Sequence, residues 1–274
     1  MLSARKKVNG MHNDHHVQAA LSASLWLTLP FAAALLLYIW AAFHSSRRYS
    51  SWPVFRTVLW TGGILCSLAV VMGPLAEKAH TNFIAHMAGH LLLGMLAPLF
   101  MVLAAPITLL LRTLPVEQAR RVSRLLQSRP LRFAIDPITA FVLNIGGLWL
   151  LYTTSLYAHM QENVLIHMFI HFHVFLAGYV FTASILCIDP APHRRSFHFR
   201  AAVLMLALAG HSILSKFLYA HPPAGVSSPQ AEMGSMLMYY GGDAVDLILV
   251  ILFCAQWFHA ARPRKAASSK TVQL

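Results

Sequence analysis

Charge is what this sequence has least of. Only 11% of its 274 residues are Asp, Glu, Lys or Arg, where a soluble domain carries about 25%. Acidic residues are the scarcest, nine against twenty-one Lys and Arg, for a net charge of +12. That deficit excludes an ordinary water-exposed globule. Cysteine is also scarce. Cys66, Cys187 and Cys254 stand far apart, and there is no CxxC pair. A disulfide framework and a thiolate zinc site are therefore not indicated, and the three read as small buried apolar residues. In a soluble chain the basic excess would point to nucleic acid. Here Lys and Arg lie between apolar runs, so membrane lipid is the expected partner and nucleic acid is not. Arg5, Lys6 and Lys7 stand well ahead of the first apolar run, too far for a usual signal peptide, so that run reads as a retained span.

What the chain has is hydrophobicity, 57% of its residues, arranged in runs long enough to cross about 30 Å of hydrocarbon. Seven spans are predicted, near 24–43, 55–76, 83–111, 133–153, 164–186, 199–219 and 237–260. The fold class that follows is all-α, a polytopic integral membrane protein built as a seven-transmembrane-helix bundle. Residues 1–23 read as an exterior tail, 24–260 as the membrane domain and 261–274 as a cytoplasmic tail. Pro98 and Pro106 predict a kink or an early exit in the third span, and Gly146-Gly147 in the fourth a close helix contact. No internal repeat stands out. Sixteen Lys and Arg, including Arg200, fall on the side of the C-terminus and five on the other. The positive-inside rule then places the N-terminus outside a bacterial cytoplasmic membrane and the C-terminus in the cytoplasm. Within loop 113–132, the segment 115–130 reads as a short amphipathic helix on the anionic cytoplasmic surface or as a solvated connection.

Two of these apolar runs carry histidines four residues apart, His86 with His90 and His167 with His171. The sixth run carries His211, and the seventh carries Asp243 and Asp246. Residues four apart share a helix face, and ionisable groups in hydrocarbon are costly and mark function. At 1.5 Å per residue, all seven lie within roughly 5–14 Å of the outer boundary. This agreement in depth predicts a metal site opening outward. Imidazole suits copper, zinc, iron and nickel, and thioether selects Cu(I). Met87 is the methionine placed with the ligands; Met95, Met160, Met168 and Met233 read as packing. Lys216 is the expected salt-bridge partner of the aspartates. His173 faces away from the pair on its helix. His12, His15 and His16 read as a solvated exterior cluster, and His44, His193, His198 and His259 as interface anchors. No arrangement of a catalytic nucleophile is present, so an enzyme is not expected.

At these residues a family resemblance emerges. HMAGHLLLGMLAPLFMVLAAPITLLLR (86–112) resembles the hallmark segment of the CtaG-type cytochrome c oxidase assembly factors. IHMFIHFHVFLAGYVFTASILCIDPAP (166–192) is similar to the family's second block, matching it at His167, His171, Gly178, Asp189, Pro190 and Pro192. GGDAVDLILVILF (241–253) fits its last helix. The likeness covers about 60–253. It implies a seven-helix membrane protein that helps build a haem-copper oxidase at its copper centres; with the histidine site read as copper-binding, the metal passes to oxidase subunits directly or through a periplasmic copper chaperone. Family members tend to carry a Glu beside a histidine of the second block. This chain has Phe169 and Ile170 there, and Glu162 is the nearest carboxylate. Two other classes stay open on the residues alone. One is a b-type cytochrome with haem b held by paired histidines; the other is a metal or proton transporter with the His/Asp cluster as relay.

Overall fold

A computed structural model describes residues 28–190 and 194–262. The terminal tails, with His12, His15 and His16, and also His193, lie outside those residues. Every regular element described is helical, in chain order α1 Thr28–Arg48, α2 Val54–Val71, α3 Pro74–Ala79, α4 Phe83–Leu103, α5 Pro106–Thr113, α6 Val116–Leu126, α7 Arg129–Ala134, α8 Pro137–Thr153, α9 Leu156–Glu162, α10 Val164–Leu186, α11 Phe197–Ala220 and α12 Ser228–Ala261. Six of these, α1, α2, α4, α10, α11 and α12, are each long and apolar enough to cross a membrane. The remaining expected span, the fourth, is α8, which bends by 79° into α9. The protein is a polytopic helical membrane protein. Its bundle turns large apolar side chains such as Leu37, Val58, Phe172, Met205 and Ile251 outward, as a lipid-facing surface requires.

The central helix is α4. In its apolar window 67% of residues are buried, against 39% for α11, the next highest. It packs against α2, α10 and α12. The approach of α10 is closest at Gly178, where a Cβ would collide with the backbone carbonyl of Gly94. Only glycine admits such a crossing. Both helices start alike. The Asn82 side chain accepts hydrogen bonds from Ile84 N (2.9 Å) and Ala85 N (3.1 Å). Asn163 does the same for Leu165 N (2.9 Å) and Ile166 N (3.3 Å). These caps satisfy first-turn amides that have no partner within the helix.

The third span leaves the expected 83–111 path early. α4 ends at Leu103, the chain turns through Ala105 at φ 52°, and Pro106 opens α5. Proline suits the first turn of a helix but not its continuation. Two contacts hold this break. Tyr38 donates to the Ala104 carbonyl at 2.8 Å while stacking on Trp60. On the other side, Asp189 accepts from Ile107 N (3.2 Å), Thr108 N (2.7 Å) and Thr108 Oγ1 (2.6 Å). The aspartate that follows α10 is thus the cap of α5.

Two other readings are corrected. Arg200 is no loop residue: it is fully buried, donates to the Ile185 carbonyl and lies 4.4 Å from the Phe197 ring and 5.3 Å from Phe253. The buried aromatic pocket at the start of α11 holds it by cation–π contact. Lys216 pairs with neither aspartate; its ammonium lies 5.2 Å over the Tyr239 ring. Arg195 with Asp136, at 2.7 Å, is the only ion pair among the described residues.

The cap and the crossing give two expected outcomes. Asp189→Ala lowers stability by about 1–2 kcal/mol, whereas Asp189→Asn retains most of it, read as thermal unfolding in detergent. An unchanged melting point for Asp189→Ala would show that the α5 cap is dispensable. Gly178→Val forces α10 off α4 and abolishes a monodisperse peak in size-exclusion chromatography, while Gly146→Ala, which meets only Val142 at 3.8 Å, leaves the peak intact.

Candidate metal-handling site

Besides a smaller cluster around Tyr38, Trp52 and Leu109, the apolar interior has two larger clusters with a polar layer between them. Along α4, Phe83 and Met87 belong to one cluster and Leu99 and Val102 to the other, with His90 between. Along α11 the order is Leu218 and Leu214, then His211, then Ala207 and Val203. Along α12 it is Met238, then Asp246, then Leu249 and Phe253. Three helices place an ionisable group at the junction. Such groups sit in a bilayer interior only when they line a cavity or meet one another.

They do both. His90, His211 and Asp246 line one cavity of about 30 Å³. Its wall is completed by Gly94 and Met95 from one π-helical turn, Leu92–Leu96 in α4, and by Asn144 and Ile145 from another, Val142–Gly146 in α8. π-turns recur at functional sites because the extra residue redirects side chains and loosens the backbone ladder. The rings of His90 and His211 are 6.1 Å apart. The Nε2 of His90 and both ring nitrogens of His211 are buried without a hydrogen-bond partner among the described residues. Gly242 makes room for His211, because a Cβ there would meet Cε1 of its ring.

A second cavity, of about 20 Å³, adjoins the first through His90 and is lined also by His86, Tyr152 and His171. His86 shares a 3.0 Å hydrogen bond through Nε2 with the Tyr152 hydroxyl and packs in an aromatic box of Phe83, Tyr152 and Tyr157. His171 donates from Nδ1 to the His167 carbonyl at 3.0 Å. A carbonyl can only accept, so the proton is on Nδ1, and the neutral ring keeps its Nε2 lone pair. The His171 ring is 6.4 Å from His86 and 4.1 Å from His167, and His167 is 4.9 Å from His80. Imidazoles thus follow one another from the loop after α3 into the bundle. Each cavity exceeds the ~10–15 Å³ that one small occupant needs. Among the described residues no three His, Cys, Asp or Glu side chains stand close enough together to hold one metal ion. The arrangement is of pairs, His90 with His211 and His86 with His171.

The structure places the other sequence candidates apart. Asp243 is exposed while Asp246 is 8% exposed. Three residues along a helix leave 60° between side chains, enough to turn one in and one out. Met87 is fully buried in the apolar cluster with Phe83 and Met238, away from both cavities. Met95 lines the cavity of His90 instead. His173 bonds through Nε2 to the Leu143 carbonyl at 3.1 Å, within the α8 π-turn. Sequence reasoning passed over His80, Tyr152, Asn144 and a short repeat. Asn-x-x-x-His-Met-x-x-His occurs at 82–90 and again at 163–171. Each copy is a capped helix start followed by a histidine pair, and that repeat was a signal open to the sequence.

Uncharacterized proteins of Mycobacterium bovis and Mycobacterium tuberculosis are each 35% identical over 175 residues, 61% of this chain and 26% of theirs. An uncharacterized protein of Mycobacterium leprae is 26% identical over 232 residues, 77% of this chain and 35% of its own. The chain thus spans about a quarter to a third of the length of these relatives. No solved structure matches. The family of cytochrome c oxidase caa3 assembly factors matches residues 36–260, from within α1 to the end of α12, and the chain belongs to that family.

Proposed function

We propose that this protein assists the assembly of a haem-copper cytochrome c oxidase by receiving copper, as Cu(I), at its buried imidazoles and passing it on. Copper is cargo in this reading, and ligand exchange is the whole of the chemistry. The observation that carries it is the His90–His211 pair, whose buried ring nitrogens lack partners around a cavity sized for one small occupant. An orphaned polar atom in a bilayer interior is costly, and a cation is what imidazole lone pairs can take. Cu(I) accepts two-coordination, which suits a site of pairs better than zinc, which favours four ligands. His80, His167, His171 and His86 form the stepwise route inward, with steps of 4.1 to 6.4 Å between ring centroids. Met95 supplies a thioether beside His90, and Asp246 a carboxylate that offsets the ion's charge. In the orientation the basic loops favour, the histidine end faces outward. A periplasmic copper chaperone would meet it there, and oxidase subunits would receive the metal within the same bacterial cytoplasmic membrane. No enzymatic step is involved.

One observation favours a second reading. An apolar cavity of about 400 Å³ between α1, α2, α4 and α10 has His171 in its wall, within the size range of ligand pockets. A haem b held by His171 would use it, as in a b-type cytochrome. The two small cavities beside His90 are far below porphyrin size.

In a host whose oxidase depends on this protein, His90→Ala with His211→Ala reduces oxidase activity to that of the deletion strain. Copper per purified chain falls from about one to near zero, the tenfold or greater loss expected when ligands to a metal are removed. Normal oxidase activity in the double variant sinks the copper reading, and a Soret band in the purified protein moves the weight to haem. Gly242→Ala, which pushes on the His211 ring, lowers copper retention several-fold with every proposed ligand still present; full retention would place His211 outside the site.

A further inference from the structure

The bundle carries another polar cavity, at the end remote from His86, His90, His171 and His211. Its volume is about 670 Å³, and it lies between α7, the start of α8 and the segment before α11. Four guanidinium groups line it, those of Arg129, Arg132, Arg194 and Arg195, with Asp136 the single carboxylate. Asp136 is already engaged. It caps α8 through Ile138 N at 3.1 Å and takes both Arg195 Nε (2.9 Å) and Nη2 (2.7 Å). Arg195 is thereby neutralised and fixed in place. Arg194 is aligned over the Phe197 ring at 5.4 Å. Arg129, Arg132 and Arg194 are left as three exposed cations around one cavity, with no further anion lining it among the described residues. Three like charges held together repel, and a structure that gathers them gains from a bound anion.

The surroundings say which anion. The cavity sits where α8 and α11 begin, at the level where spans leave the hydrocarbon. Phe133, 71% exposed, and Ile138, 50% exposed, stand beside the arginines. Directly ahead in the chain, α6 buries none of its residues and turns Val116 and Leu125 outward. Arginine clusters flanked by exposed apolar side chains at a bundle end match a phosphodiester with acyl chains attached. We propose that this cavity is a binding site for a phosphate-bearing ligand, and that the headgroup of an anionic phospholipid is its source. The site is independent of copper handling. It would anchor α6 and α7 to one leaflet and fix the depth of the bundle.

The test uses the full-length protein in a neutral detergent, titrated with tetraoleoyl cardiolipin, with dioleoyl phosphatidylcholine, and with inorganic phosphate as a soluble competitor, and read by native mass spectrometry. The expected result is cardiolipin retention at least about tenfold above phosphatidylcholine, lost about tenfold in the triple variant Arg129→Gln, Arg132→Gln, Arg194→Gln, which leaves the Arg195–Asp136 pair alone. If millimolar phosphate fails to displace cardiolipin, the lipid is the source; if phosphate displaces it and binds with similar strength, the same site serves a soluble phosphate. Should the triple variant not be monodisperse, the single exposed change Arg132→Gln is measured instead, with a several-fold loss expected. Equal retention of the two lipids, or retention unchanged by these substitutions, overturns the proposal.

Discussion

The crossing of α4 and α10 at Gly94 and Gly178 governs the rest of the molecule. A lipid environment offers no hydrophobic force to bring helices together, so close backbone contact has to do that work. Where a glycine lets one helix lie on the other's carbonyl, the side chains one to two turns away are forced together as well. On one side of the crossing these are His86 and His90 of α4 with His171 of α10. On the other side, α10 ends at Asp189, which reaches the amides of Ile107 and Thr108 just past the break in the third span. The two sequence blocks that marked the family are thus one mechanical unit, joined at a glycine and closed by a carboxylate.

The bilayer's second demand is that polar groups find partners inside the protein. Nearly every interruption in the helices meets it. The Asn82 and Asn163 caps, the Tyr38 bond to Ala104 and the His173 bond to Leu143 each supply a partner where regular structure stops. Other buried atoms also lack a partner, Arg200 Nε and Nη2 and His167 Nδ1 among them, but the bare nitrogens of His90 and His211 belong to two residues that line one cavity. They lie between two well-packed apolar clusters and beside both π-turns, where strict packing would have been easiest to achieve with leucine. Unmet hydrogen-bonding capacity at such a place is what a transient cargo site needs, because ligands already committed to protein partners would exchange slowly.

Much of this was legible in the residues. The spans follow from length and apolarity, and α1, α10 and α11 lie close to the expected ranges. The histidine pairs follow from helical spacing, and the convergence of His90, His211 and Asp246 from depth counting. The early exit of the third span was legible in Pro106, and the structure ends that span just before it. What escaped has physical causes. The left-handed turn at Ala105 is held by contacts from Tyr38 and Asp189, more than sixty residues away. Asp243 and Asp246 look equivalent in sequence, and only the roll of α12 against α11 separates them. His80 lies outside any apolar run, so depth counting could not reach it. The π-turns leave no periodic trace, since both sit in stretches that are apolar all round. Arg200 reads as one more loop charge until the aromatic pocket around it is seen.

Family membership, the imidazole sequence and the unpartnered nitrogens support the proposal of copper in transit, and the basic cavity at the other end supports the proposal of a lipid anchor. The most direct measurement is X-ray absorption at the copper K edge on the purified protein loaded with one equivalent of Cu(I). Binding at His90 and His211 gives a low-coordinate spectrum with nitrogen neighbours at about 2 Å and the multiple-scattering pattern of imidazole. A spectrum dominated by sulfur, or one that is unchanged in the His90→Ala, His211→Ala double variant, would contradict it.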